Sequence, residues 1–260
     1  MSAILLDGSI VHYEVLGRGR PVIFLHGWVG SWKYWISSMQ VASTSYRAYA
    51  LDLWGFGDTA HVSTNYTLEQ QASLIDRFLI EMGIGKIALV GHGMGALVSM
   101  TFAVHFSHSV DRVMAISCPL SYEGVNARLR TSPVSDLVDW LSNRSSESTI
   151  ALADASKADL QAVTASMDDL RADNFFGGFR ALNIPTLLVY GERDQAITIP
   201  GEEMSNSTMT QQVVLEESGH FPMLDETARF NRLLTDFLAL ESGASPSELE
   251  LKEEWRRRVR

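Results

Sequence analysis

From Val22 onward the chain repeats one pattern. A short apolar run, rich in Val, Ile and Leu, stops at a small or polar residue, and a longer segment follows before the next run. The runs are residues 22–25, ending at His26-Gly27; 49–51, ending at Asp52; 87–90, ending at Gly91; 113–116, ending near Ser117; 186–190, ending at Gly191; and 212–215, ending at Glu216. A strand covered on both faces has no face left for polar side chains, so such runs predict a parallel sheet. Helical patterns fill the intervals at residues 67–81, 95–105 and 226–240, the first opened by a Thr67…Gln70 capping-box pair. Strand–helix alternation of this kind predicts a doubly wound α/β sheet with right-handed crossovers. Upstream, residues 4–6 and 10–15 flank Asp7-Gly8-Ser9, a hairpin signal.

Residues 121–180 break the rhythm. They are rich in Ser, Asp and Ala, and Leu137, Val138, Trp140 and Leu141, then Leu160, Val163, Met167 and Leu170, recur at helical spacing. This stretch reads as a helical insert between two core pieces, residues 1–120 and 181–240. Open α/β sheets bind ligands at the carboxyl ends of their strands, so an insert there is expected to act as a lid. Residues 241–260 begin as a linker, Ser242-Gly243-Ala244-Ser245-Pro246, and are expected to continue from Ser247 as an amphipathic helix with a basic end at Arg256, Arg257, Arg258 and Arg260.

Composition excludes several classes. At 260 residues with 46% hydrophobic and 20% charged content, the chain reads as an ordinary globular protein able to bury its own core. A net charge of −10 argues against nucleic acid as a general partner. No window nears the ~18 apolar residues of a membrane span, and residues 1–8 do not resemble a signal peptide. Cys118 is the only cysteine, which excludes an intramolecular disulfide and suits a reducing compartment such as the cytoplasm. No metal-ligand cluster, phosphate loop or dinucleotide fingerprint is present, so neither cofactor nor metal is expected. The C-terminal tail offers a route to a homo-oligomer.

Gly91-His92-Gly93-Met94-Gly95 follows a buried run and opens a helix. A nucleophile elbow, Gly-x-Ser-x-Gly, occupies that setting, with glycines two residues either side because side chains there collide with neighbouring backbone. Both flanking glycines are present, but the central residue is Gly93, which has no atom able to attack. With this elbow, the chain resembles the α/β-hydrolase superfamily, and most of all its small capped esterases, lactonases and carbon–carbon hydrolases. The resemblance spans the chain except its tail and rests on separated motifs. His26-Gly27-Trp28 resembles the oxyanion-hole loop, and residues 52–58 resemble the loop after the next strand. Gly191-Glu192-Arg193-Asp194 resembles the loop of the triad acid, and Ser218-Gly219-His220-Phe221-Pro222 the loop of the triad base. It implies a mostly parallel eight-stranded sheet flanked by helices, with a small helical cap.

Roles follow from chemistry. His220 is expected to act as general base, because an imidazole exchanges protons near neutral pH. Asp194 is expected to orient that ring and stabilise its cation. The backbone N–H groups of Trp28 and Met94 are expected to bind a developing oxyanion, a role that survives loss of a serine. His26 and His92 read as structural, Asp52 and Asp58 as loop-pinning residues, Ser99 as packing, and Cys118 as an unactivated thiol. Trp28, Met94, Phe175, Phe176 and Met223 are expected to line a pocket for a small, largely apolar ester, lactone or carbonyl compound.

The glycine admits three readings. A natural serine has been replaced, which glycine permits because it tolerates the strained turn; or the glycine is native and His220 works on water or substrate without a covalent intermediate; or the pocket only binds. Losing a triad serine still leaves ~10³–10⁴-fold acceleration in the subtilisin case, so the second reading is chemically viable. Retention of Asp194 and His220 weighs against the third.

Overall fold

The computed structural model describes residues 2–142, 146–171, 176–201 and 207–249. Eight strands form one sheet in the order β1-β2-β4-β3-β5-β6-β7-β8. They are β1 Ser2–Leu6, β2 Ser9–Gly17, β3 Arg20–Leu25, β4 Tyr46–Leu51, β5 Ile87–His92, β6 Val110–Ile116, β7 Thr186–Gly191 and β8 Thr210–Leu215. β1 pairs antiparallel with β2, and β2 antiparallel with β4; every other pairing is parallel. Each apolar run lies inside a strand, and β5 and β7 are buried at every residue. This is the mostly parallel α/β sheet that the alternation predicts, with the eight strands that the resemblance implies.

The long helices fall where the periodicity put them. α1 spans Ile36–Ala42, α2 Leu68–Met82 and α3 Met94–His105. Thr67 caps α2 by accepting from the Gln70 N–H, and Gly83, at φ +62°, closes it in the left-handed conformation. Between β6 and β7 come α4 Ala127–Thr131, α5 Val134–Leu141, α6 Ser146–Ala151, α7 Leu160–Asp169 and α8 Gly177–Arg180. After β8 come α9 Pro222–Asp225 and α10 Thr227–Ala239. The sequence reading missed the 3₁₀ turn Trp32–Trp35 and α1, which bury Tyr34, Trp35, Met39 and Ala42. α1 is tied to α10 where Ser38 Oγ donates to Asn231 Oδ1 at 2.7 Å.

Buried Arg112 on β6 holds the end of α10. Its Nη1 donates to the Phe237 carbonyl at 2.6 Å, and Nη2 donates to the Leu240 and Glu241 carbonyls at 2.9 and 3.1 Å. The last turn of a helix leaves such carbonyls without intrahelical donors, and a guanidinium suits both their geometry and the negative end of the helix dipole. Asp111 accepts from Nε of the same guanidinium at 2.7 Å. The tail then makes a short 3₁₀ turn, Pro246–Glu248; the basic end and most of the expected tail helix lie outside the described residues. Among the described residues no helix is long and apolar enough to cross a membrane.

Candidate active site

The elbow forms at the carboxyl end of β5. Gly93 stands between β5 and α3 at φ +52°, ψ −112°, a backbone region that side chains rarely adopt. The flanking glycines are dictated by sterics. A Cβ on Gly91 would stand 2.2 Å from the Gly95 carbonyl oxygen, and one on Gly95 would stand 2.4 Å from that of Leu25. The Gly93 N–H donates to the Ile116 carbonyl at 2.9 Å, which fastens the turn to β6. Met94 opens α3, so its N–H belongs to the first turn, which lacks intrahelical acceptors and carries the positive end of the dipole.

Asp194 and His220 meet. The imidazole Nδ1–H of His220 donates to Asp194 Oδ2 at 2.9 Å, and both side chains are buried. The other carboxylate oxygen accepts from the backbone N–H groups of Ala196 (2.8 Å) and Ile197 (3.2 Å). Burial pushes the Asp194 carboxyl up, but chiefly the His220 imidazole, with the Ala196 N–H, outweighs it and holds the group below its ordinary value. With Nδ1 committed to the carboxylate, Nε2 is the nitrogen left to accept a proton. Ser117, at a positive φ of 45°, donates from Oγ to the His220 carbonyl at 3.3 Å.

A buried hydrogen-bond chain fixes the loop of His220 against the loop that follows β3. The Gly27 N–H donates to Tyr34 Oη, which donates to His92 Nδ1 at 3.1 Å; His92 Nε2–H donates to the His220 carbonyl at 2.8 Å. Burial drives His92 well below the ordinary histidine range and Tyr34 well above that of a phenol, so both are neutral and the chain has one consistent donor direction. The His92 and His220 rings stand 4.6 Å apart, centroid to centroid, which puts the imidazole of His220 beside the elbow. His26 has a similar supporting role. Its Nδ1–H donates to the Gly27 carbonyl at 2.8 Å and Nε2 accepts from the Leu53 N–H at 3.0 Å, as burial keeps it neutral. Tyr34 gave no motif signal; its only trace in the sequence is an aromatic cluster, Trp32, Tyr34 and Trp35, behind a capping Ser31.

The other candidates sort by contact. Trp28 is buried in the loop that follows β3, and its indole Nε1–H donates to Ser166 Oγ of α7 at 2.8 Å. Met223 is buried in α9, just after His220. Phe176 is half-buried and packs edge-on to Phe179, with ring centroids 5.9 Å apart. Its neighbour Gly178 faces Val104 near the far end of α3. Val104 lies ten residues beyond Met94, roughly 15 Å along the helix axis, so the structure does not bring α8 to the elbow. Phe175 lies outside the described residues. Cys118 is fully buried, which pushes its thiol up, and Ser99 donates to the Gly95 carbonyl at 2.7 Å; neither is poised to react.

A second imidazole–carboxylate pair lies apart from the elbow. Asp52 Oδ2 accepts from His12 Nδ1–H at 2.8 Å and from the Asp58 N–H at 3.1 Å, while Oδ1 accepts from the Trp32 N–H at 2.9 Å. His12, Asp52 and Asp58 are the group of three potential metal ligands among the described residues. Asp58 is already bonded to Lys157 Nζ at 2.7 Å, and Asp52 is filled by its three donors.

A sequence model of the alpha/beta hydrolase family matches residues 22–233, and the chain belongs to that family. It is 28% identical over 257 residues to the dihydrolipoyllysine-residue acetyltransferase component of an acetoin cleaving system from Cupriavidus necator, covering 90% of this chain and 67% of that protein. It is 25% identical over 264 residues to a 2-hydroxy-6-oxo-2,4-heptadienoate hydrolase from Pseudomonas putida, covering 92% and 96%. In three dimensions it is similar to an esterase from Exiguobacterium antarcticum, with a TM-score of 0.81 at 20% identity over 92% of this chain and 99% of that one. That last likeness is one of fold alone.

Proposed function

We propose that this chain is a hydrolase-type enzyme acting on a small, largely apolar ester, lactone or related carbonyl compound without an acyl-enzyme intermediate. The observation that carries the proposal is the His220 Nδ1–Asp194 Oδ2 hydrogen bond of 2.9 Å, held beside an elbow whose central residue is glycine. Nε2 of His220 takes a proton from a water as its oxygen attacks the carbonyl carbon. The negative charge that forms on the carbonyl oxygen is received by the N–H groups of Trp28 and Met94. Collapse of the tetrahedral species expels the alkoxide, which takes the proton back from the imidazolium. Asp194 holds the ring in the tautomer that this cycle needs. The helices α4 to α7 act as the lid, and Met223 contributes to the pocket wall.

The relatives support the reaction class: one of them is named for hydrolysis of a carbonyl compound, and one neighbour of the fold is an esterase. The binding-only reading has weaker support, because binding does not require a buried imidazole–carboxylate pair. His220→Ala tests the proposal. Turnover of p-nitrophenyl acetate should fall by about 10²-fold or more, the share of a general base, and stay above the buffer rate because the oxyanion donors remain. Undiminished turnover in that variant removes His220 from the mechanism. An unsubstituted chain no faster than buffer on esters and lactones alike returns the site to binding only.

A further inference from the structure

Gly93 and Trp28 are matched in size. An ideal Cβ on Gly93 would stand 3.2 Å from both Cε3 and Cζ3 of the Trp28 indole, inside ordinary van der Waals contact, and 3.6 Å from the Gly27 Cα. A side chain at position 93 therefore requires the indole to retreat by a few tenths of an ångström. The ring has little freedom to do so. It is 1% exposed, and its single polar atom is bonded to Ser166 Oγ, itself fully buried. Ser166 passes its own proton to the Val163 carbonyl at 2.8 Å, so the hydroxyl is committed as donor and as acceptor. α7 is in turn fixed to the core at both ends. The Asp159 N–H donates to the Gly55 carbonyl at 2.8 Å, and Tyr66 Oη donates to Asp159 Oδ2 at 2.7 Å. At the other end Asp169 Oδ2 accepts from the Leu68 N–H at 2.6 Å.

We propose that Trp28 is a positioning residue through which α7 controls the elbow. Ser166 sets where the indole stands, and the indole sets the volume available at residue 93 and the wall against which a substrate carbonyl rests. The same residue offers its N–H to that carbonyl, so displacement of the ring also disturbs the oxyanion donor. The proposal deepens the reading of this site as a hydrolytic one and rests on it for its link to turnover. The coupling itself is structural, and it is tested without substrate.

The test is a substitution cycle read by thermal unfolding. Gly93→Ser in the otherwise unchanged chain should lower the unfolding midpoint by about 4–8 °C, from contact with the indole together with the strain of a positive φ. In a Trp28→Leu background the same substitution should cost less than half of that, since only the strain is left. Equal shifts in the two backgrounds overturn the coupling. If Trp28→Leu fails to fold, the indole N–H resonances of the six tryptophans decide. Ser166→Ala should shift one of them, and Gly93→Ser should shift that same one. No shift in either variant, or shifts of different resonances, overturns the proposal. None of these readouts depends on turnover, so a failure here is distinguishable from a failure of His220 as base.

Discussion

Among the described residues two histidines give an imidazole N–H to a buried aspartate, and the two pairs have different surroundings. His12–Asp52 joins β2 to the loop after β4, and its carboxylate is filled by His12 and the backbone N–H groups of Trp32 and Asp58. The far nitrogen of His12 lies 3.5 Å from Glu14. His220–Asp194 has nearly the same hydrogen bond, but its ring stands against His92 and Phe221 beside a strained turn and a helix N-terminus. The pair alone therefore does not mark a base. What sets His220 apart is its surroundings, a strained turn and the first-turn N–H groups of α3.

The comparison can be broken most sharply through the acids. Asp194→Asn should cost at least ~10²-fold in p-nitrophenyl acetate turnover, because the amide no longer selects the Nδ1–H tautomer. His12→Ala should leave that rate within about twofold. A rate loss from His12→Ala comparable to that from Asp194→Asn would show that the two pairs are not functionally distinct.

Stability should not separate them. Each carboxylate is buried and receives three donors, so Asp52→Asn and Asp194→Asn should each cost about 3 kcal/mol in denaturant unfolding. Gly57 tests the Asp52 site further. At φ +55°, its Cβ would stand 2.2 Å from Asp52 Oδ2, so Gly57→Ala should cost about 3 kcal/mol. Gly83→Ala has a similar φ and open space around it and should cost only about 1 kcal/mol. Similar costs at both positions would mean that the Asp52 loop yields freely.

The smallest effect is in pH. The Asp52 hydrogen bond raises the His12 pKa above 6.5, against the opposing pull of burial. Its contribution to stability is complete below the unfolded value and is lost as pH rises through the folded one. The unfolding midpoint should fall slightly over that window, and His12→Asn should flatten the slope. Asp194 has the opposite sign: its carboxyl lies below 3.8, so its contribution is present above that value and disappears as acid takes the pH through the folded pKa. A midpoint that rises through the His12 window would reverse the assignment.

The core was legible in sequence wherever one residue type answers one steric demand. Runs of Val, Ile and Leu announced strands covered on both faces, and Gly91 and Gly95 announced the backbone approaches at the elbow. Asp194 and His220 were legible because each sits in a short loop directly after a strand. The supporting contacts were not. Tyr34 reaches His92 across 58 residues, and Ser166 reaches Trp28 across 138. An ordinary tyrosine or serine gains such a role only when the fold brings a distant partner to it, so no local pattern records it. The overlooked helix α1 carries its apolar positions over barely two turns, too few to set up a recognisable period.

The grip of Arg112 on the carbonyls of Phe237, Leu240 and Glu241 has a practical corollary for anyone who would shorten this protein. A chain ended before Leu240 would leave a buried guanidinium with two of its carbonyl acceptors gone and one nitrogen unpaired, so the trimming limit at that terminus is set by a strand residue more than a hundred positions upstream.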